Sequence, residues 1–324
     1  MALRWAVLIL AVLAGLSAAC SSGDDDDEYN APGNDDDNDA ADDDDDIDDD
    51  NDDDSGDDDD AGPAGLAILT VNLQHPLFTG MNVEERTQIV ADLINAEQPD
   101  LVALQEVIQN LTWPNRAEVL AELTGCEWIW ERTYNVILFE EGIAVLARGS
   151  IGWSDATDLP HPDLSMFERR VLGVTAETEE GTATLYVTHM TTADNETEKA
   201  DQALTIWEFI AETLPPGGPV FFAGDLNAEP DSLAMRFLRG ETEYEGVAGD
   251  FADAWIAANG DDPGYTYPSH NPKRRIDYIY QVPGEAGEPP AVAGCERVLT
   301  EPVDGIRASD HVGVLCRFEP AGAR

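Results

Sequence analysis

Lysine is almost missing from this chain: Lys199 and Lys273 are the only two among 324 residues. Basic residues number 17 against 67 acidic ones, a formal net charge of −50. That balance excludes a protein that gathers polyanions by long-range attraction. Any phosphate or nucleic-acid chemistry must rest on a local site, a cation or high salt. Cysteine is scarce too, and four residues are too few for a disulfide scaffold. No second long apolar run follows the first twenty residues, which excludes a polytopic membrane protein. Hydrophobic residues are well supplied, and their 43% share excludes a wholly disordered chain.

The charge is unevenly spread. Asp24 to Asp60 holds 23 Asp and one Glu with no Lys or Arg. Such a tract buries no apolar surface and repels itself, so it reads as an extended tether. Its reach is at most about 120–130 Å at ~3.3–3.6 Å per residue. A weak calcium sponge is the competing reading, but the tract lacks the Gly turn and closing Glu of a calcium loop. The body from Ala61 to Arg324 has 264 residues and a net charge of −27. That length suffices for one well-cored domain.

Met1 to Ala19 has one basic residue, Arg4, then an apolar run from Trp5 to Leu16, then small residues. This is the pattern of a secretory signal, too short for a membrane span. Ser17-Ala18-Ala19-Cys20 resembles a bacterial lipoprotein signal with Cys20 as the lipidated residue. It departs from that pattern in having Ser17 where a Leu is usual, and free secretion is the alternative. Either route predicts an extracytoplasmic chain, where disulfides are allowed. The expected organisation is a signal over 1–19, an anchor and tether over 20–62, and a catalytic domain over 63–320.

Within the body, apolar β-branched runs predict strands at Leu66–Asn72, Leu101–Glu106, Gly142–Ala147, Val171–Ala176, Thr184–His189, Pro219–Gly224, Arg275–Tyr280 and Val312–Phe318. Helical spacing predicts helices at Glu84–Ala96, Arg116–Leu123 and Lys199–Leu214. In the second, Leu120 and Leu123 are expected to face inward. In the third, Ala200, Ala203, Leu204, Trp207, Ile210, Ala211 and Leu214 form the expected stripe. Strands and helices alternate, which indicates an α/β layered domain.

Polar residues recur where these strands end. Asn72, Gln105-Glu106, Thr188-His189 and Asp225-Leu226-Asn227 each follow an apolar run. Asp277 sits within Arg275-Ile276-Asp277-Tyr278, and Ser309-Asp310-His311 precedes the last strand. Taken singly, each reads as a turn former or a solvated strand end. Taken together they are expected to converge on one rim, where catalytic groups collect.

The constellation resembles the endonuclease/exonuclease/phosphatase family. Thr70-Val-Asn72, Leu104-Gln-Glu106, Gly142–Arg148, Val187-Thr-His189, Gly224-Asp-Leu-Asn227, Asp253, Arg275-Ile-Asp277 and Ser309-Asp-His311 match it in order across Leu66 to Phe318. The resemblance implies a four-layer α-β-β-α sandwich of two mixed sheets. It implies Mg²⁺, with Mn²⁺ or Ca²⁺ as alternatives, held by Glu106 with Asn72 and Asp310. Asp225 is implied to activate water, with Asn227 positioning it and donating to the phosphate. His189 and His311 are implied to contact phosphate oxygens, with Asp277 paired to His311. Asn72, and Arg169 or Arg170, are implied to reach the substrate phosphate; two adjacent arginines leave the register open. Asp253 reads as structural.

The implied activity is hydrolysis of phosphodiesters by a nuclease-like enzyme, expected to be monomeric. A phosphatase or a sphingomyelinase-like phospholipase shares the motifs, and a catalytically silent surface lipoprotein is the reading from another class. One departure bears on substrate. The segment after His189 is acidic, whereas a nuclease usually lines its groove with Lys or Arg. Lys273-Arg274-Arg275 is the one dense basic run, and it reads equally as strand support or as a phosphate contact.

Cys295 and Cys316 lie in two runs flanking the Ser309–His311 loop. If these pair as antiparallel strands, residues whose numbers sum to about 611 face each other, and these two cysteines do. A disulfide is therefore expected there, leaving Cys126 as a buried free thiol.

Overall fold

The computed structural model describes residues 65–75, 82–136, 139–161, 168–284 and 289–320. The expected signal, Cys20 and the Asp tract lie outside the described residues. All described residues fall in the compact unit Asp59–Arg324. Among them no helix is long and apolar enough to cross a membrane.

In chain order the first half comprises β1 (Ala67–Asn72), α1 (Val83–Glu97), β2 (Leu101–Asn110), α2 (Arg116–Thr124), β3 (Glu127–Val136), β4 (Phe139–Ala147), β5 (Ile151–Asp158) and β6 (Arg170–Thr178). The second comprises β7 (Gly181–His189), α3 (Glu196–Thr213), β8 (Val220–Asp225), α4 (Leu233–Leu238), β9 (Ala252–Asp253), α5 (Ala254–Asn259), β10 (Asp277–Val282), β11 (Val292–Val298) and β12 (Gly313–Phe318). They form two six-stranded sheets, ordered β11-β12-β1-β2-β4-β3 and β5-β6-β7-β8-β10-β9. Each sheet is mixed. One parallel pair, β1–β2 or β7–β8, lies at its centre with antiparallel neighbours outside.

Three apolar interfaces separate four layers. Ile68, Leu101 and Val145 of the first sheet meet Val174, Leu185 and Phe221 of the second. The first sheet's other face, with Leu69, Val71 and Leu104, packs on Val90 and Ile94 of α1 and Leu120 of α2. The second sheet's outer face packs on Ala203, Ile206 and Ile210 of α3 and Phe237 of α4. A central strand covered on both faces needs no polar alternation, which is why β1 and β8 read as continuous apolar runs.

The structure departs from the sequence reading at the edges. β3 and β5 were not expected; each is an edge strand, and β5 exposes much of its surface. In α2, Leu120 is buried but Leu123 is 42% exposed. In α3, Ala211 is exposed and Phe209 is buried instead, so the buried stripe is turned relative to expectation. The expected cysteine pair does form: Cys295 faces Cys316 across β11 and β12, disulfide-bonded with Cα atoms 4.1 Å apart. Cys126 is free and buried.

Candidate active site

Both parallel pairs end at one rim. Asn72 closes β1, while His189 and Asp225 close β7 and β8 and stand directly opposite each other. On the other side of Asp225 its register partner is Asp277, the first residue of β10. Gly224 makes this junction: its φ is +149°, and a Cβ there would lie 2.1 Å from the Thr188 carbonyl oxygen. Only glycine lets β8 approach β7 so closely before Asp225. At the rim one side chain links the two sheets. Asn72 is fully buried and donates Nδ2 to Glu106 Oε1 at 3.1 Å and to Asp225 Oδ2 at 3.0 Å. It thus ties the end of the first sheet to the end of the second.

Glu106 owes its aim to a bulge. The β2–β4 register shifts between Leu104 and Val107, and Glu106 takes a φ of +53°. A bulge turns a side chain out of the pleat, and strained backbone of this kind collects at functional sites. Glu106 Oε2 also accepts from the backbone N–H of His75. Asp310 faces the same space. Burial pushes its carboxyl above the ordinary range; the His311 charge opposes this and the Glu106 charge adds to it. Behind these carboxylates lie two buried arginines that sequence reasoning missed. Arg86 donates to the Ala308 carbonyl at 2.9 Å and the Leu73 carbonyl at 2.7 Å. Arg116 donates to the same Leu73 carbonyl at 2.7 Å. Burial, with the charge of Arg86, pulls the Arg116 guanidinium down to about 9. The pair braces both the segment after Asn72 and the segment before Asp310.

The second half of the site gathers a second carboxylate and two imidazoles around Asp225. Asp225 is 1% exposed. Its Oδ1 accepts from the backbone N–H of Asn227 at 2.9 Å. Burial pushes its carboxyl up to about 7; the His311 charge opposes this and Asp277 reinforces it. His311 Nδ1 lies 2.9 Å from Asp277 Oδ2, and its Nε2 lies 3.7 Å from Asp225 Oδ2. Burial alone would depress this imidazole, but Asp277 and Asp225 outweigh it and push it up to about 10. It is therefore imidazolium at neutral pH. His189 behaves oppositely. Burial, then the charges of Arg169 and His311, hold it well below its ordinary value, so its ring is neutral. Its Nε2 lies 3.4 Å from Asp225 Oδ2, and its buried Nδ1 has no partner among the described residues.

The remaining expected residues divide. Asn227, at φ +48°, donates Nδ2 to the Met190 carbonyl at 3.1 Å, while Lys199 Nζ donates to the Asn227 carbonyl at 2.6 Å. Arg169 is 7% exposed, and its Nε is buried without a partner. Its charge acts on both His189 and Glu141, which places it at the rim. Arg170 points elsewhere, paired with Glu131 and with Asp158 at 2.5 Å. Arg275 is buried against Asp253 at 2.5 Å, and Asp253 also caps α5 by accepting from the Ile256 N–H. Glu141 was not foreseen. It is buried in β4, pushed up to about 8 by burial and by Glu106, and lies 3.5 Å from His75 Nε2. Nothing in its local spacing marks it, because the residues that make it unusual come from other strands.

The donor set suits a hard cation on one side. Glu106 adds to the charge cost of Asp310 in a half-buried space, and carboxylate oxygens of this kind take Mg²⁺. Asn72 turns its Nδ2 toward Glu106, while its Oδ1 accepts from the Gln74 N–H at 2.8 Å. Asp225, Asp277 and His311 also bring ligand atoms within 4.8 Å of one another. There, however, the His311 Nδ1 is already engaged by Asp277 at 2.9 Å. A hard cation prefers carboxylate oxygens to a ring nitrogen, so Glu106 and Asp310 fit it better.

Solved structures share this architecture. An endonuclease/exonuclease/phosphatase from Beutenbergia cavernae DSM 12333 is 23% identical with a TM-score of 0.63, over 80% of this chain and 72% of that one. D. rerio TDP2 complexed with single strand DNA product is 20% identical with a TM-score of 0.61, over 78% and 98%. The human Nocturnin catalytic domain with bound sulfate anion is 19% identical with a TM-score of 0.61, over 79% and 93%. At these identities the likeness is one of fold. No curated protein matches the chain. The model of the endonuclease/exonuclease/phosphatase family matches residues 69–311, which spans every rim residue from Asn72 to His311, and the chain belongs to that family.

Proposed function

We propose that this protein is an exported, divalent-metal-dependent phosphodiesterase of the nuclease type. The observation that carries the reading is the Asn72 amide, which joins the carboxylate half of the rim at Glu106 to the proton-sharing half at Asp225. Glu106 and Asp310 would hold the metal, with Asn72 orienting Glu106 through its Nδ2. Bound there, Mg²⁺ supplies charge neutralisation at the phosphate. Asp225, pushed up to about 7, is matched to taking a proton from water near neutral pH. The attacking oxygen then bonds to phosphorus as the bond to the leaving oxygen breaks. Asn227 holds Asp225 in place through its N–H. His311, kept cationic by Asp277, and Arg169, with an uncommitted buried Nε, stabilise the developing charge on the phosphate oxygens. His189 contributes a neutral ring beside Asp225. Arg170, spent on Glu131 and Asp158, takes no part.

Membership of a family of metal-dependent phosphoester hydrolases supports the chemistry. The single-stranded DNA product bound by TDP2 supports a nucleotide substrate. Export rests on the signal of residues 1–19, with Cys20 lipidated and residues 21–62 as tether, so the membrane is a partner through the anchor. The Cys295–Cys316 bridge suits that compartment. The test is turnover of the purified full chain with Mg²⁺ against an oligonucleotide, sphingomyelin and a phosphomonoester. Chelator-sensitive cleavage of the oligonucleotide is expected. Preference for sphingomyelin or the monoester would reassign the substrate, and no turnover of any would leave a binding protein.

A further inference from the structure

Resting on that phosphodiesterase reading, the structure assigns a narrower substrate class. We infer that the site takes a compact phosphodiester, holding the scissile phosphate and at most one neighbour, and does not track a polynucleotide backbone. A protein that follows a backbone needs a row of uncommitted Lys and Arg side chains. Here the cations close to the site are committed. Arg86, Arg116 and Lys199 donate to backbone carbonyls behind it. Arg274 is paired with Glu229 at 3.0 Å, and Arg275 with Asp253. Arg132, on the edge strand β3, is paired with Glu140 at 2.8 Å. The other described arginines, apart from Arg169, donate to carboxylates or carbonyls, except Arg236, which lies 4.0 Å from Glu241 as an ion pair.

Two cations among the described residues make no side-chain hydrogen bond or ion pair to another described residue: Arg169 and Lys273. Arg169 is buried, with an unpartnered Nε, and together with the buried His311 ring, held by Asp277 through Nδ1, it makes a site for one phosphate. Lys273 is exposed on the hairpin 267–274. That hairpin is tied to the catalytic loop, since the Ser269 N–H donates to the Asp310 carbonyl at 2.7 Å and its hydroxyl to the Ser309 carbonyl at 2.8 Å. Lys273 is thus placed to meet one flanking charge. Residues 76–81, 137–138, 162–167 and 285–288 contain no Lys or Arg, so they add nothing to a basic track. The body's net charge of −27 repels the rest of a long polyanion.

The count predicts a measurable slope. Two phosphate contacts on a single strand give a slope of log kcat/KM against log salt no steeper than about −1.4, at roughly −0.7 per contact. A backbone-tracking enzyme with several contacts gives a slope about three or more times steeper. The experiment uses the full chain with Mg²⁺ on a dinucleoside monophosphate, a thymidine 4-mer and a thymidine 20-mer across a salt series. The expected result is kcat/KM per bond constant within about threefold across lengths, with the shallow slope. Lys273→Ala should flatten that slope by about 0.7 on the 20-mer and leave the dinucleoside monophosphate, which has no second phosphate, untouched. A kcat/KM that climbs tenfold or more with length, or a slope steeper than about −2, overturns the inference while leaving the phosphodiesterase reading standing. Absence of cleavage at every length sinks the phosphodiesterase reading and this inference with it.

Discussion

The two sheets are built alike and bring different side chains to the rim. Each carries one central parallel pair, β1–β2 or β7–β8, and in each a strand of that pair delivers polar groups to the shared rim. The first sheet delivers Asn72 and Glu106, with buried guanidiniums behind them. The second delivers His189, Asp225 and Asp277, with Arg169 beside them. The loop before β12 serves both, because Asp310 feels Glu106 while its neighbour His311 bonds Asp277. Topology thus sets where functional groups gather, and the side chains at strand ends set what they do. On the proposed function, one half serves a cation, and the other moves a proton and holds an anion.

That division is testable, beginning with the largest effect. Glu106→Gln removes a ligand and a charge from the cation half. Turnover should fall by at least about 10³-fold with the circular dichroism spectrum unchanged. Full turnover of this variant in chelator would be incompatible with a metal on that side.

In the proton half, Asp225→Asn and His311→Ala should each cost about 10²–10⁴-fold in kcat. The double variant should cost little more than the worse single, because both act on one transition state. Multiplicative losses would mean that the two residues serve separate steps.

The disulfide belongs to the first sheet alone, at its β11–β12 edge. Replacing Cys295 and Cys316 together by Ser should cost about 3 kcal/mol in the chain-entropy estimate for a loop of this length. Thermal unfolding measures the loss, and kcat should hold, since neither residue reaches the rim. A large loss of kcat in the folded variant would show that the edge positions the Asp310–His311 loop.

The smallest effect is a shift of pH profile. His311 is raised to about 10 by its carboxylate partners, so its charge is present at neutral pH and lost as pH rises through about 10. Asp277→Asn removes the closer partner. The alkaline limb of the pH–rate profile should move down by at least about one unit, near 1.4 kcal/mol. An unmoved limb would assign that titration to another group.

Much of this arrangement was legible in the chain. The central strands are continuous apolar runs because both of their faces are covered, and each breaks at a polar residue where cover ends at the rim. Gly224-Asp225-Leu226-Asn227 records a close strand approach that only glycine permits, followed by a carboxylate and its positioning residue. The edges were illegible for the converse reason. β3 and β5 carry Glu, Arg, Asp and Thr because one margin meets solvent, and such strands look like loops in composition.

By itself, then, the sequence determined the layered α/β order, the strand-end residues and the facing of Cys295 on Cys316, since each follows from local periodicity and spacing. Tertiary structure alone decided that Arg169 and not Arg170 lies at the rim: Arg170 opens β6 and pairs with Glu131 and Asp158, while Arg169, just before the strand, is buried where its charge reaches His189. It alone brought Arg86, Arg116 and Glu141 to the carboxylates. Their states depend on burial and on charges from distant segments, which no local pattern encodes.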